Sequence, residues 1–152
     1  SLYRYALLLC RNVSLAEDAV QETFVRYYVR RSQGELEAER AWLFRVLRNY
    51  ILDQQKSAQA KLSVGLEEAR FHQDESLSPD MALEFSLFLS KAVEILTARE
   101  FQCVQLRYEG FSYKEIGDIL SIESGTVGAM LARSSEKIRK AFGENQFPCE
   151  AV

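Results

Sequence analysis

Apolar residues recur at spacings of three and four along most of this chain, and proline interrupts it only twice in 152 residues. That period lays one apolar stripe along each helix. It leaves little room for the turn-rich, proline-punctuated pattern of an all-β domain. Residues 2–11 place Leu2, Tyr5, Ala6, Leu9 and Cys10 on one face. Ser14 is followed three residues later by Glu17, a capping-box pattern. The spacing predicts a helix over about 15–31, with Leu15, Ala19, Phe24 and Tyr27 toward a core. Gly34 breaks the chain, the acidic stretch Glu35-Leu36-Glu37 follows, and a further helix is expected over about 38–56. Trp42, Val46, Asn49, Ile51 and Leu52 lie along it.

Over residues 57–80 the periodicity fades, and Ser, Gln, Glu and Asp become frequent. Ser78-Pro79-Asp80 is a stop-and-restart signal, with Pro79 where a helix can begin. Beyond it the helical spacing returns in Met81, Phe85, Phe88, Leu89 and Ile95. Thr97 and Glu100 form a second capping-box pattern, opening a helix to about Tyr108 that Gly110 ends. Ser112 is expected to cap a short helix over Tyr113–Leu120, and Ser124 a longer one reaching about Phe142. The expected fold is all-α: two small helical domains, 1–56 and 81–152, joined by a flexible linker, 57–80, with a helix-turn-helix in the second.

Composition excludes several classes. At 47% apolar residues the chain can bury a core. It has no run of eighteen apolar residues, so no membrane span is expected. The opening Ser1-Leu2-Tyr3-Arg4 lacks a Met and a secretory profile, so a few residues are expected to be missing ahead of it. Cys10, Cys103 and Cys149 are scattered and odd in number, and His72 is the single histidine. A disulfide framework, a metal site and a cofactor are therefore not expected, and a reducing cytoplasm fits. Catalysis would need a clustered nucleophile and base, a metal set or a Gly-rich phosphate loop. None is present, so no enzymatic activity is expected. The net charge is −3, but it is unevenly spread. Residues 1–56 hold nine Lys/Arg against seven Asp/Glu, and residues 57–80 hold two against five. The acidic excess is greatest in the middle, which leaves the two ends free to present basic surfaces.

Residues 112–133 carry the most specific local pattern. Two short helices that cross closely need a small residue at the crossing, here Gly117. Ile116 and Leu120 fill the space beneath, Ile122 plugs the turn, and Val127 and Leu131 close the core from the second helix. Ser124, Gly125, Thr126, Gly128, Ala129, Ala132 and Arg133 are left facing outward. Small outward residues let a helix sink into a major groove, and its N-terminal amides suit a phosphate. The alternative is an αα-hairpin that serves packing alone.

Leu96-Thr97-Ala98-Arg99-Glu100, Gly110-Phe111-Ser112-Tyr113-Lys114-Glu115-Ile116 and Gly125-Thr126-Val127 resemble region 4 of the sigma-70 superfamily. These words also resemble LuxR-type regulators. The first third separates the two. Residues 16–24, Ala-Glu-Asp-Ala-Val-Gln-Glu-Thr-Phe, resemble the signature of sigma region 2. Residues 41–49, Ala-Trp-Leu-Phe-Arg-Val-Leu-Arg-Asn, followed by Asp53, resemble its continuation. Two signatures in this order resemble the short extracytoplasmic-function (ECF) group, which has regions 2 and 4 only.

The resemblance implies core RNA polymerase and promoter DNA as partners, with an anti-sigma factor possible and no membrane. It implies three surfaces. On the 15–31 helix, Asp18, Gln21, Glu22, Val25 and Tyr28 would bind the polymerase; the bland reading of Asp18 and Glu22 is a solvated face. On the 38–56 helix, Arg40, Trp42, Arg45, Arg48, Asn49 and Lys56 would hold the melted −10 element, with the 31–40 loop forming a base pocket. Unstacking bases costs a few kcal/mol per step, which stacking and phosphate contacts must offset. Trp42 reads better as a core anchor, and Asp53 as a structural partner of Arg48 or Asn49. Ser124, Gly125, Thr126, Gly128, Ala129, Arg133 and Lys137 would read the −35 element, with Arg139 and Lys140 near phosphates.

The sequence departs from the family where Lys-Ser-Arg-Leu usually follows Thr-Val. Here Gly128-Ala129-Met130-Leu131 stands, then Ser134-Ser135, and Gln54-Gln55-Lys56-Ser57 replaces an Arg-rich stretch. The missing cations predict weak −35 binding or an unusual promoter. Two alternatives stay open: a LuxR-type DNA-binding regulator that acts without polymerase, and a sigma-like protein that acts through protein contacts alone.

Overall fold

The computed structural model describes residues 2–61, 87 and 89–143. Every regular element among them is a helix, and the chain forms two compact units.

The first unit holds α1 (Leu2–Cys10), α2 (Val13–Ser32) and α3 (Glu39–Lys61). All three pack on one another. Tyr5, Ala6 and Leu7 of α1, Ala16, Ala19 and Thr23 of α2, and Ala41, Phe44, Leu47 and Ile51 of α3 are buried. Tyr5 and Phe44 meet with ring centroids 5.1 Å apart. Leu7 was absent from the expected stripe, whereas Leu2, Leu9 and Cys10 are only half-buried. The core side of α1 is thus turned by about one position.

The cap of α2 is not Ser14. Arg11 takes a left-handed φ of 51°, which reverses the chain after α1. Asn12 then lies extended, and its Oδ1 accepts from the Leu15 amide at 2.9 Å. Asn caps as well as Ser does, so the position of the reversal decides between them. Thr23, buried on α2, satisfies its hydroxyl by donating to the Ala19 carbonyl at 2.7 Å. Gly34, at φ 138°, lies between α2 and α3. The link is braced by Glu39, which takes an ion pair from Arg31 and a hydrogen bond from the Tyr27 hydroxyl at 3.1 Å. α3 continues to Lys61, five residues past the expected end. The rest of the expected linker, with His72 and Pro79, lies outside the described residues, as do Met81, Phe85 and Phe88 of the helical stretch expected after it, and Cys149.

The second unit holds α4, a helix over 89–95, then α5 (Ala98–Tyr108), α6 (Tyr113–Leu120) as far as Gly117, and α7 (Ser124–Phe142); Asp118–Ser121 group with the first unit. The capping box at Thr97 and Glu100 forms as expected. Ser112 and Glu115 make a second one: the Ser112 amide donates to Glu115 at 2.8 Å, and the Glu115 amide donates to the Ser112 hydroxyl at 3.3 Å. Gly110, at φ 91°, turns the chain between α5 and α6. Ser124 is not the cap of α7 but its first residue, and Glu123 stands at the cap without a side-chain bond. Leu89, Ala92, Leu96, Cys103, Leu106, Phe111, Ile116, Val127, Leu131 and Ile138 are buried. Among the described residues no helix is long and apolar enough to cross a membrane.

Candidate polymerase and nucleic-acid surfaces

α2 separates its two sides sharply. Ala16, Ala19 and Thr23 face inward. Phe24, Val25, Tyr28 and Val29 face outward, at 51%, 60%, 79% and 52% exposure. At 100° per residue these four fall within one half of the helix circumference, together with the exposed Asp18 and Gln21. Scattered exposed apolar residues are ordinary; here four large ones share one face of a single helix. Glu22 pairs with Arg26 one turn on, at 2.7 Å. Phe24 was expected in the core and is instead part of this exterior face. Val29 was not singled out at all. Both are apolar at helical spacing, and spacing alone does not separate a core stripe from an interface stripe.

The expected −10 set divides in two. Arg40, Arg45, Asn49 and Lys56 are exposed along α3. The Arg40 guanidinium also lies over the Phe44 ring, 5.4 Å from its centroid. Trp42 is half-buried and meets Tyr27 of α2 with centroids 6.3 Å apart, so it packs the two helices together. Arg48 is 9% exposed, and its side chain is enclosed rather than offered to solvent. Asp53 is exposed whereas Arg48 is buried. Within the 31–40 loop, Ala38 takes a left-handed φ of 50°.

In the helix-turn-helix, the Ile122 amide donates to the Gly117 carbonyl at 3.0 Å. A Cβ built on Gly117 would lie 2.6 Å from the Ile122 carbonyl oxygen. The small residue is thus required by the backbone of the turn rather than by a helix crossing. Ser121 in that turn is left-handed, at φ 57°. On α7, Val127, Leu131, Ser134 and Ile138 face inward. Ser124, Gly125, Thr126, Ala129, Ala132 and Arg133 are exposed. Gly128 is half-covered by the ring of Tyr113, which a Cβ there would touch at 3.5 Å. The Arg107 guanidinium stacks over the same ring, 5.4 Å from its centroid, and donates to the Phe111 carbonyl at 3.1 Å. Ser134, one of the places where a cation was missed, is buried, and its hydroxyl donates to the Met130 carbonyl at 2.8 Å. A cation at that position would not face solvent.

Lys137 was expected near a phosphate. Its Nζ instead donates to both Glu100 oxygens, at 2.8 and 3.0 Å. Burial acts to raise the Glu100 carboxyl, but Lys137 and the Thr97 amide and hydroxyl outweigh it and hold it below the ordinary carboxylate value. Cys103 is fully buried, with its Sγ 3.7 Å from the Met130 sulfur. Cys10 is half-buried, its thiol donates to the Asn12 carbonyl at 3.3 Å, and burial pushes it up. Among the described residues no group of three His, Cys, Asp or Glu could hold a metal.

Comparison with known proteins gives concordant results. Residues 1–61 match Sigma-70 region 2, and residues 89–138 match Sigma-70, region 4. The chain is 31% identical over 147 residues to the ECF RNA polymerase sigma factor SigL of Mycobacterium tuberculosis (strain ATCC 25618 / H37Rv), covering 94% of this chain and 83% of that protein. It is 24% identical over 143 residues to the ECF RNA polymerase sigma factor SigM of Bacillus subtilis (strain 168), covering 93% and 88%. Among solved structures it resembles the sigma factor RpoE, crystallised with the anti-sigma factor NepR from Bartonella quintana. That match has a TM-score of 0.74 and 25% identity, over 95% of this chain and 91% of that one.

Proposed function

Because the chain belongs to the ECF RNA polymerase sigma factors of the sigma-70 family, we propose that it docks on core polymerase through the outer face of α2 and reads promoter DNA through α3 and α7. It is a transcription initiation factor, and its chemistry is recognition rather than catalysis. The exposed apolar stripe of Phe24, Val25, Tyr28 and Val29 is the observation that carries the reading. Asp18, Gln21 and Glu22 flank that stripe and supply its polar rim, the usual build of a protein interface.

At the −10 element the contacts fall to Arg40, Arg45, Asn49 and Lys56, whose side chains reach solvent. Arg48 and Trp42 stiffen the helix pair behind them. At the −35 element the contacts fall to Ser124, Gly125, Thr126, Ala129 and Arg133, with Gly128 allowing close approach beside Tyr113. The first α7 amides, left without a side-chain cap, would face a phosphate. Arg133 and Arg139 are exposed, and Lys140 pairs with Glu136 at 2.8 Å. So few free cations support a shallow salt dependence for this half of the complex.

A partner of the anti-sigma kind would act by covering one of these faces. Localisation in the cytoplasm follows from a function exercised on polymerase and DNA. The test is a reconstitution. Core RNA polymerase with this chain should start transcripts from a genomic promoter library, and core alone should not. No transcripts, together with no retention on polymerase, would refute the reading. Thr126→Asp should deplete promoters that depend on −35; an unchanged promoter profile would remove α7 from the assignment.

A further inference from the structure

The cations of α7 do not all point outward. Arg133 and Arg139 are exposed, and Lys140 is engaged with Glu136 on the same helix. Lys137 reaches across to α5, where both Glu100 oxygens accept from its ammonium. The Glu100 side chain is only 7% exposed, against 42% for Lys137. The same carboxylate accepts from the Thr97 amide at 2.9 Å. One buried group therefore holds both the start of α5 and the second half of α7. A second tie stands at the end of α7. Lys91 of α4 donates to the Ala141 carbonyl at 3.0 Å, and its ammonium lies 4.9 Å from the centroid of the Phe142 ring. A cation there meets the negative end of the helix dipole. Two helices thus fix α7 at two points, and neither uses the outward face that begins at Ser124.

We propose that Lys137 is a positioning residue for α7: anchored on Glu100, it sets how the helix is presented to the promoter, and it contacts no phosphate. The inference rests on the reading of α7 as the −35 helix. Its physical ground is an asymmetry. An ammonium that left Glu100 for a phosphate would leave that largely enclosed carboxylate with the Thr97 amide as its counterpart, and uncovering an enclosed charge costs more than an exposed contact returns.

The test uses holoenzyme assembled from core polymerase and the full chain, on a promoter fragment that the wild type selects from a genomic library. Binding is measured against salt for wild type, Lys137→Met, Glu100→Gln and the double variant. Gln keeps the capping-box geometry while removing the counter-charge. Each single variant should bind about three- to ten-fold more weakly at every salt concentration, with an unchanged log–log slope. The double should be no weaker than the poorer single. If Lys137 bound a phosphate, Lys137→Met would lower the slope by about 0.9, and Glu100→Gln would free the lysine and tighten binding. Either result overturns the proposal. Glu100→Gln carries the test alone if Lys137→Met does not fold. A wild-type holoenzyme that selects no promoter refutes the underlying reading, and the proposal with it; a lowered slope in a binding-competent system refutes the proposal only.

Discussion

Gly117 and Gly128 look alike in sequence, two glycines within helices, yet the structure predicts opposite responses to the same change. A methyl group on Gly117 would meet the Ile122 carbonyl oxygen at 2.6 Å, and that atom belongs to a tight turn that cannot yield without opening. Gly117→Ala should therefore destabilise the second unit by about 1–3 kcal/mol, the cost of overpacking. A methyl group on Gly128 would touch the Tyr113 ring at 3.5 Å, an ordinary contact, within a helix. Gly128→Ala should stabilise by about 1 kcal/mol through helix propensity. Thermal unfolding of the two variants checks both; equal shifts of the same sign would show that the turn is not the constraint. Glu100 supplies a pH signature. Its carboxyl is held below the ordinary value, so between that value and its folded one the unfolded chain binds more protons. The stability it contributes is present above about pH 4.5 and is lost as pH falls through the lowered value. Acid unfolding of wild type and Glu100→Gln should diverge above that window and converge below it. Parallel curves would mean that Glu100 contributes nothing specific.

α2 is an element with one apolar face buried and another exposed. Tyr28→Ala and Val25→Asp change side chains that the folded chain hardly touches, so each should alter stability by less than about 0.5 kcal/mol. Each should weaken polymerase binding by roughly 2 kcal/mol, as exposed aromatic and apolar anchors do when an interface buries them. Titration of labelled polymerase checks this, and unchanged affinity for both variants would take the face out of the assignment. The helix itself was legible from its spacing, and of the residues singled out on its outer side Asp18, Gln21, Val25 and Tyr28 are exposed and Glu22 is half-buried. Phe24 and Val29 were not singled out there, because periodicity reports an apolar stripe without saying what covers it. Capping was legible where a single candidate existed, at Thr97 and Ser112. It failed at Ser14, where Asn12 two residues earlier caps equally well and the left-handed Arg11 decides between them. Lys137 departs from the expectation because its carboxylate partner lies 37 positions away in sequence, and Arg48 because its side chain is buried. No local pattern separates such a cation from one left free for DNA.

At the scale of the whole molecule, a net charge of −3 is compatible with a promoter-binding protein because the charges are sorted. The acidic excess is greatest in 57–80, exposed donors line α3, and the outward start of α7 is small and nearly uncharged. An adaptor of this composition should bind duplex DNA poorly by itself and gain promoter affinity only when polymerase supplies further contacts. That separates it from a stand-alone helix-turn-helix regulator, which would bind without help. Footprinting on a promoter fragment selected by the holoenzyme, with the chain alone, with core polymerase alone and with both, tests this most directly. The account predicts protection at the −35 and −10 elements only when both are present. Equal protection by the chain alone, or none with both, would contradict it.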